Sequence, residues 1–100
     1  MSIVRVPRSA VPPGCALRIE VDGEEILLCN VDGAFYAVED VCTHDGGSLD
    51  QGRLDGCEVE CPRHGARFDV RTGAVTALPA VLPLRTFPTR LDGDEVVVEY

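Results

Sequence analysis

The sequence predicts an all-β domain, an antiparallel β-sandwich or barrel, and three observations lead there. Short segments alternate apolar and charged residues; Ala16-Leu17-Arg18-Ile19-Glu20-Val21 shows the two-residue period of a half-buried strand. Asp-Gly steps at Asp22-Gly23, Asp32-Gly33, Asp55-Gly56 and Asp92-Gly93 read as tight hairpins with both central residues at positive φ. No stretch sustains a helical period, and short strands with turn signals at close spacing mark a sandwich or barrel.

In chain order, Ile3-Val4-Arg5-Val6 reads as a first strand stopped by Pro7, and Pro12-Pro13-Gly14 as the next turn. After the strand at residues 16–21, Asp22-Gly23 turns the chain into Glu25-Ile26-Leu27-Leu28-Cys29. Asp32-Gly33 then turns it into Ala34-Phe35-Tyr36-Ala37-Val38. The pattern lapses twice, over residues 40–50 and 61–65, and both stretches read as loops. Ala66-Arg67-Phe68-Asp69 and Ala74-Val75-Thr76 are short strands split by the Arg71-Thr72-Gly73 turn. Pro79 and Pro83 hold an irregular apolar loop over residues 78–83, and residues 85–91 and 95–100 make a closing hairpin. Phe35, Tyr36, Phe68 and Phe87 are expected in the core.

The 100 residues show no linker, repeat or low-complexity tract, so residues 1–100 are expected to form a single domain. A chain of this size buries only about 60–70% of its unfolded surface, so a bound metal group would add to its stability. No apolar run approaches the roughly 20 residues that span a bilayer, and Met1-Ser2-Ile3-Val4-Arg5 has no secretory signal pattern. A soluble, cytoplasmic protein without membrane contact is expected. The charged residues are nine arginines, no lysine and seventeen acids, for a net charge of −8. That balance excludes the basic stripe of a nucleic-acid binder. It suits a carrier steered toward basic patches on its partners, and it equally suits ordinary solubility. Five cysteines, an odd number, argue against a disulfide scaffold. Cys15, Cys29 and Cys57 lie in or beside apolar strand-like segments and are expected as small buried hydrophobes. Cys57, four residues before Cys61, keeps a redox role or a place as substitute ligand as alternatives.

The chemistry of the chain concentrates in Cys42-Thr43-His44 and Cys61-Pro62-Arg63-His64, with sixteen residues between His44 and Cys61. The chain has two histidines, and both stand in this pattern. Each pair offers one thiolate and one imidazole, the set that puts two cysteines on one iron and two histidines on the other in a mixed-ligand [2Fe–2S] centre. A zinc site is the competing reading, but zinc fingers pair Cys with Cys and His with His. Two histidines satisfied in a core would not each follow a cysteine so closely.

Together, Asp40-Val41-Cys42-Thr43-His44, Val59-Glu60-Cys61-Pro62-Arg63-His64-Gly65, Phe68-Asp69 and Arg71-Thr72-Gly73 make the chain resemble the Rieske-type ferredoxins. These are small soluble electron carriers that serve bacterial ring-hydroxylating dioxygenases. The resemblance covers nearly the whole chain. It implies stacked antiparallel sheets with a cluster-binding subdomain of two loops, about 40–50 and 61–65, inserted between strands. It further implies one Rieske [2Fe–2S] cluster on Cys42, His44, Cys61 and His64, with the cysteines inward and the histidines at an exposed tip through which electrons leave. Phe68 would shield the cluster loop. Gly46-Gly47 and Gly65 allow close backbone approach, and Pro62 stiffens the second loop.

The resemblance implies as partners a flavin-dependent ferredoxin reductase and a terminal oxygenase, with the chain a monomer and no catalytic residue of its own. The enzyme reading, an oxygenase large subunit, also needs a mononuclear iron on two further histidines, which this chain lacks. The alternative that stays open is a redox accessory subunit of another enzyme, such as the small subunit of an assimilatory nitrite reductase, or a cluster-assembly-associated ferredoxin. Two departures from the respiratory Rieske proteins stand out. Those carry an extra, mutually bridged cysteine in each loop where this chain has Gly47 and Arg63, and a serine where it has Ala66. Fewer hydrogen bonds to the sulfurs place the expected potential near the low end of the Rieske range, about −150 mV. Asp45 and Arg63 flank the histidines and, like Arg67 and Arg71, are expected as solvated surface charge, with tuning of the site or shaping of a docking face as the alternative.

Overall fold

The computed structural model describes residues 2–100. Among the described residues, eleven strands form three antiparallel sheets. The first sheet orders β1 (Ile3–Pro7), β11 (Glu95–Glu99) and β10 (Thr89–Asp92). The second orders β2 (Ala16–Val21), β3 (Glu24–Val31), β4 (Ala34–Glu39) and β9 (Thr86–Phe87). The third is a meander of three-residue strands, β5 (Arg53–Asp55), β6 (Glu58–Glu60), β7 (Arg67–Asp69) and β8 (Val75–Ala77). A single 3₁₀ turn, Arg8–Ala10, follows β1.

Strand β3 explains the layering. Successive side chains of a strand point to opposite faces. Ile26 and Leu28 enter one apolar core with Val6, Phe35, Phe87, Val96 and Val98. Leu27 and Cys29 enter a second core with Val38, Leu49, Val59, Phe68 and Leu84. Both faces of β3 are therefore covered, which is why its sequence is a continuous apolar run rather than an alternation. The second core also contains Cys42 and Cys61, so the third sheet is packed against the body of the domain through the residues that flank its loops. Burial pushes the Cys29 thiol up to about 12, consistent with the inert role expected of it.

Three expectations need correction. Only Asp22-Gly23 and Asp32-Gly33 have both residues at positive φ, the signature of type I′ hairpins. At the other two steps Asp55 pairs with Glu58 and Asp92 with Glu95, so each Asp ends its strand. Gly56 and Gly93 then lead the two-residue loops at φ of 61° and 60°. The stretch 85–91 is not one strand. Thr86–Phe87 pairs with β4, whereas Thr89–Asp92 pairs with β11, because Pro88 between them has no N–H to continue a ladder. Cys15 is exposed, since it precedes β2, the edge strand of its sheet; Cys57 is half-buried. The aromatic core residues and the irregular apolar loop are as expected, except that Tyr36 is only partly buried.

Asp40 fixes the joint between body and insertion. It follows β4, is fully buried, and accepts from Arg18 Nη1 at 2.5 Å, Ser48 Oγ at 2.6 Å and the Leu49 N–H at 2.9 Å. Arg18 lies on β2 and also pairs with Glu20 and Glu25 at 3.3 and 3.2 Å. One carboxylate thus ties an edge strand to the far side of the loop over residues 40–50. Removing one partner of a buried pair leaves the other uncompensated. Asp40→Ala is accordingly expected to lose roughly 2–4 kcal/mol in chemical denaturation; a change below about 0.5 kcal/mol, the range of ordinary surface substitutions, would deny Asp40 this role.

Candidate metal centre

The two Cys-His segments fold into turns closed in the same way. The Cys42 N–H donates to the Gly47 carbonyl at 2.7 Å, and the Gly46 N–H donates to the Cys42 carbonyl at 2.7 Å. In the second turn the Cys61 N–H donates to the Ala66 carbonyl at 2.7 Å, and the Gly65 N–H donates to the Cys61 carbonyl at 3.1 Å. The fifth residue of each turn must reverse the chain in the left-handed region, and Gly46 and Gly65 both sit at φ +75°. Matched by these closing bonds, His44 is the third residue of its turn and His64 the fourth. Asp45 and Arg63 occupy the two complementary places.

The turns face each other. Cys42 and Cys61 are 0% and 1% exposed, and their Sγ atoms lie within 4.8 Å of one another and of an Asp45 carboxylate oxygen. Both histidines are exposed, with ring centroids 5.1 Å apart and planes at 89°. Phe68, wholly buried, belongs to the same apolar core as the two thiols. The chain between the turns is short. A side chain at Gly52 would run into the Glu60 carbonyl, so this glycine lets the chain leaving the first turn pass directly against the residue before Cys61.

Opposing influences act on the first thiol. Desolvation pushes the Cys42 thiol up, while the N–H groups of His44 and Asp45 aim at its sulfur and act in the opposite direction. A thiolate at this buried position therefore asks for a positive counterpart as well as the N–H groups already turned toward it. Asp45 is held well below the usual carboxylate range, first by Arg63 and then by the Gly47 N–H. Asp45 and Arg63 lie at the surface as expected, but they are paired with each other rather than free. The Asp45 side chain is only 17% exposed, and Arg63 holds it by two bonds, Nε–Oδ2 at 2.6 Å and Nη2–Oδ1 at 3.1 Å. Each residue stands beside a histidine, and the facing of the turns brings them together. Arg67 is likewise tied down, to Asp55 and Glu58 at 3.1 and 3.2 Å, and Arg71 to Asp69 at 2.9 Å.

The donor set fits a two-iron, two-sulfide group of the Rieske kind. Soft thiols stand on the buried side and neutral-capable imidazoles on the exposed side, delivered by separate turns. Gly47 and Arg63 are neighbours, since a Cβ on Gly47 would run into the Arg63 guanidinium. Ala66, also wholly buried, offers a carbonyl to Cys61 but no side-chain donor. A third loop joins the site: the Thr43 hydroxyl donates to the Leu82 carbonyl at 2.7 Å, leaving Leu78, Val81 and Leu82 exposed beside it. No sequence pattern pointed to that contact, or to the Asp45–Arg63 pair. No helix among the described residues is long and apolar enough to cross a membrane.

Comparison with known proteins agrees with this geometry. A family described as the Rieske [2Fe-2S] domain matches residues 2–88. The biphenyl 2,3-dioxygenase ferredoxin component of Rhodococcus jostii (strain RHA1) is 46% identical over 100 residues, covering 99% of this chain and 94% of that one. The ferredoxin of carbazole 1,9a-dioxygenase from Nocardioides aromaticivorans IC177 superimposes with a TM-score of 0.93 at 40% identity, covering 98% and 97% of the two chains. The ferredoxin in a complex of reduced oxygenase and oxidized ferredoxin of carbazole 1,9a-dioxygenase gives 0.92 at 38% identity, over 96% and 91%. The chain belongs to the Rieske [2Fe–2S] family and is a ferredoxin, a carrier of electrons rather than a catalyst, with a Rieske cluster as its cofactor.

Proposed function

We propose that Cys42, His44, Cys61 and His64 hold the cluster, and that residues 1–100 act as one cluster-bearing domain with ligand loops at about 40–50 and 61–65. In this reading the protein takes one electron from a flavin-dependent ferredoxin reductase and delivers it to the terminal oxygenase of a ring-hydroxylating dioxygenase system, as a cytoplasmic monomer. One observation carries the reading: two exposed imidazoles stand 5.1 Å apart above two buried thiols. A donor set with that asymmetry opens toward a partner only on its nitrogen side. The relatives named as ferredoxin components of dioxygenase systems support the choice of partner.

When bound, such a cluster supplies reversible one-electron chemistry at a potential above that of all-cysteine clusters. The residues around it have separate tasks. Leu49, Ala66 and Phe68 close the sulfur side against water, which keeps charge on the thiolates from being screened. His44 and His64 present ring edges to solvent, where a partner protein can reach them. The acidic surface, −8 overall, raises the rate of encounter with a basic patch on either partner.

Replacing His44 or His64 by Ala is expected to abolish or destabilise the cluster's visible spectrum, whereas Cys57→Ala keeps it; loss of the spectrum in the Cys57 variant alone would reassign the ligands. Stopped-flow transfer to an oxygenase is expected to slow as salt rises, because screening shortens the reach of exposed charges to about 8 Å at physiological ionic strength. A rate indifferent to salt would remove the steering role of the acidic surface.

A further inference from the structure

The ligand turns carry a second feature that the electron-carrier reading leaves unused. Asp45 and Arg63, the residues beside the two histidines, join across the gap by two parallel bonds of 2.6 and 3.1 Å. The carboxylate is preset by its own turn, since Asp45 Oδ1 also accepts the Gly47 N–H at 2.9 Å. The guanidinium reaches further, with Nη2 3.5 Å from the Ser48 carbonyl and 3.9 Å from Cys61 Sγ. The Asp45 carboxylate also lies 3.4 Å from His64 Nδ1, so the polar contacts from the first turn to the second gather on Asp45 and Arg63. A fork-to-fork Arg–carboxylate pair is the strongest form of exposed ion pair, because its geometry resists shear as well as separation.

We propose that the Asp45–Arg63 pair is a strap that holds the two ligand turns together and sets how long the protein retains its cluster. It rests on the assignment of Cys42, His44, Cys61 and His64 as ligands. Each turn carries half of that set, so loss of the cluster requires the turns to part. Parting them breaks two charge-assisted bonds at the exposed tip. Gly47 belongs to the device. A Cβ there would take the space of the guanidinium, and Gly47 does not need its glycine for a positive φ, so its small size is what the strap uses.

The test is the half-life of the visible absorbance of the cluster-loaded protein in excess iron chelator. At low salt, Arg63→Gln and Asp45→Asn are expected to lose the cluster about three- to tenfold faster than the parent, as loss of a well-formed ion pair implies. The double variant should be no faster than either single one, and Arg63→Lys, which keeps charge but not the fork, should fall between. Gly47→Ala should speed loss in the parent and have no further effect in the Arg63→Gln background. In about 1 M salt, where screening acts within about 3 Å, the parent should approach the variants. Thermal unfolding of the β body, followed by far-ultraviolet dichroism, should be unchanged. Half-lives equal to the parent's in both single variants, or a Gly47→Ala effect that adds fully to Arg63→Gln, would overturn the strap. A parent lacking the mixed-ligand spectrum would instead overturn the ligand assignment beneath it.

Discussion

Two turns of chain, each closed on its own cysteine by the same two backbone hydrogen bonds, must present their side chains to one point in space. The rest of the structure is arranged to satisfy that requirement. The hairpin of β5 and β6 is the shortest route from the first turn back to the second, and it works because Gly52 lets the chain pass against Glu60. The cysteines then become part of an apolar core instead of lying on a mobile surface. At Cys42 burial raises the cost of a thiolate, and the N–H groups of His44 and Asp45 aimed at its sulfur offset part of it. The histidines, two or three residues further along, escape that core and reach solvent.

The body of the domain contributes rigidity. β3 is covered on both faces, which couples the first sheet to the inserted one through a single strand. Asp40 adds a polar anchor at the seam, bonded at once to Arg18, Ser48 and Leu49. An electron carrier gains from this stiffness, because a donor set that scarcely moves needs little reorganisation when charge changes by one unit. The contrast between a buried sulfur side and an open nitrogen side also gives the molecule a direction. Contact from any other face would meet sheet rather than ligand.

Much of this was legible in the sequence. The spacing of Cys42, His44, Cys61 and His64 marked the proposed ligand pairs, and Asp22-Gly23 and Asp32-Gly33 identified the hairpins, because these signals are local and their chemistry admits few readings. The three-residue strands β5 and β6 were too short to show a period. The change of sheet at Pro88 was hidden because the residues on both sides favour strands, and only the choice of partner differs. The pairing of the exposed Asp45 and Arg63 was not legible, since it depends on how two turns face each other and not on any spacing along the chain. Cys15 was misplaced for a related reason: an edge position is a property of the assembled sheet.

The central claim is that two imidazoles and two thiolates from opposed turns share one pair of irons. Pulsed EPR of the dithionite-reduced protein tests it most directly. The account predicts a rhombic signal of low average g, with hyperfine coupling to nitrogens of two distinct histidines. A spectrum without nitrogen coupling, as an all-cysteine cluster gives, or a zinc-loaded protein with no signal, would contradict it.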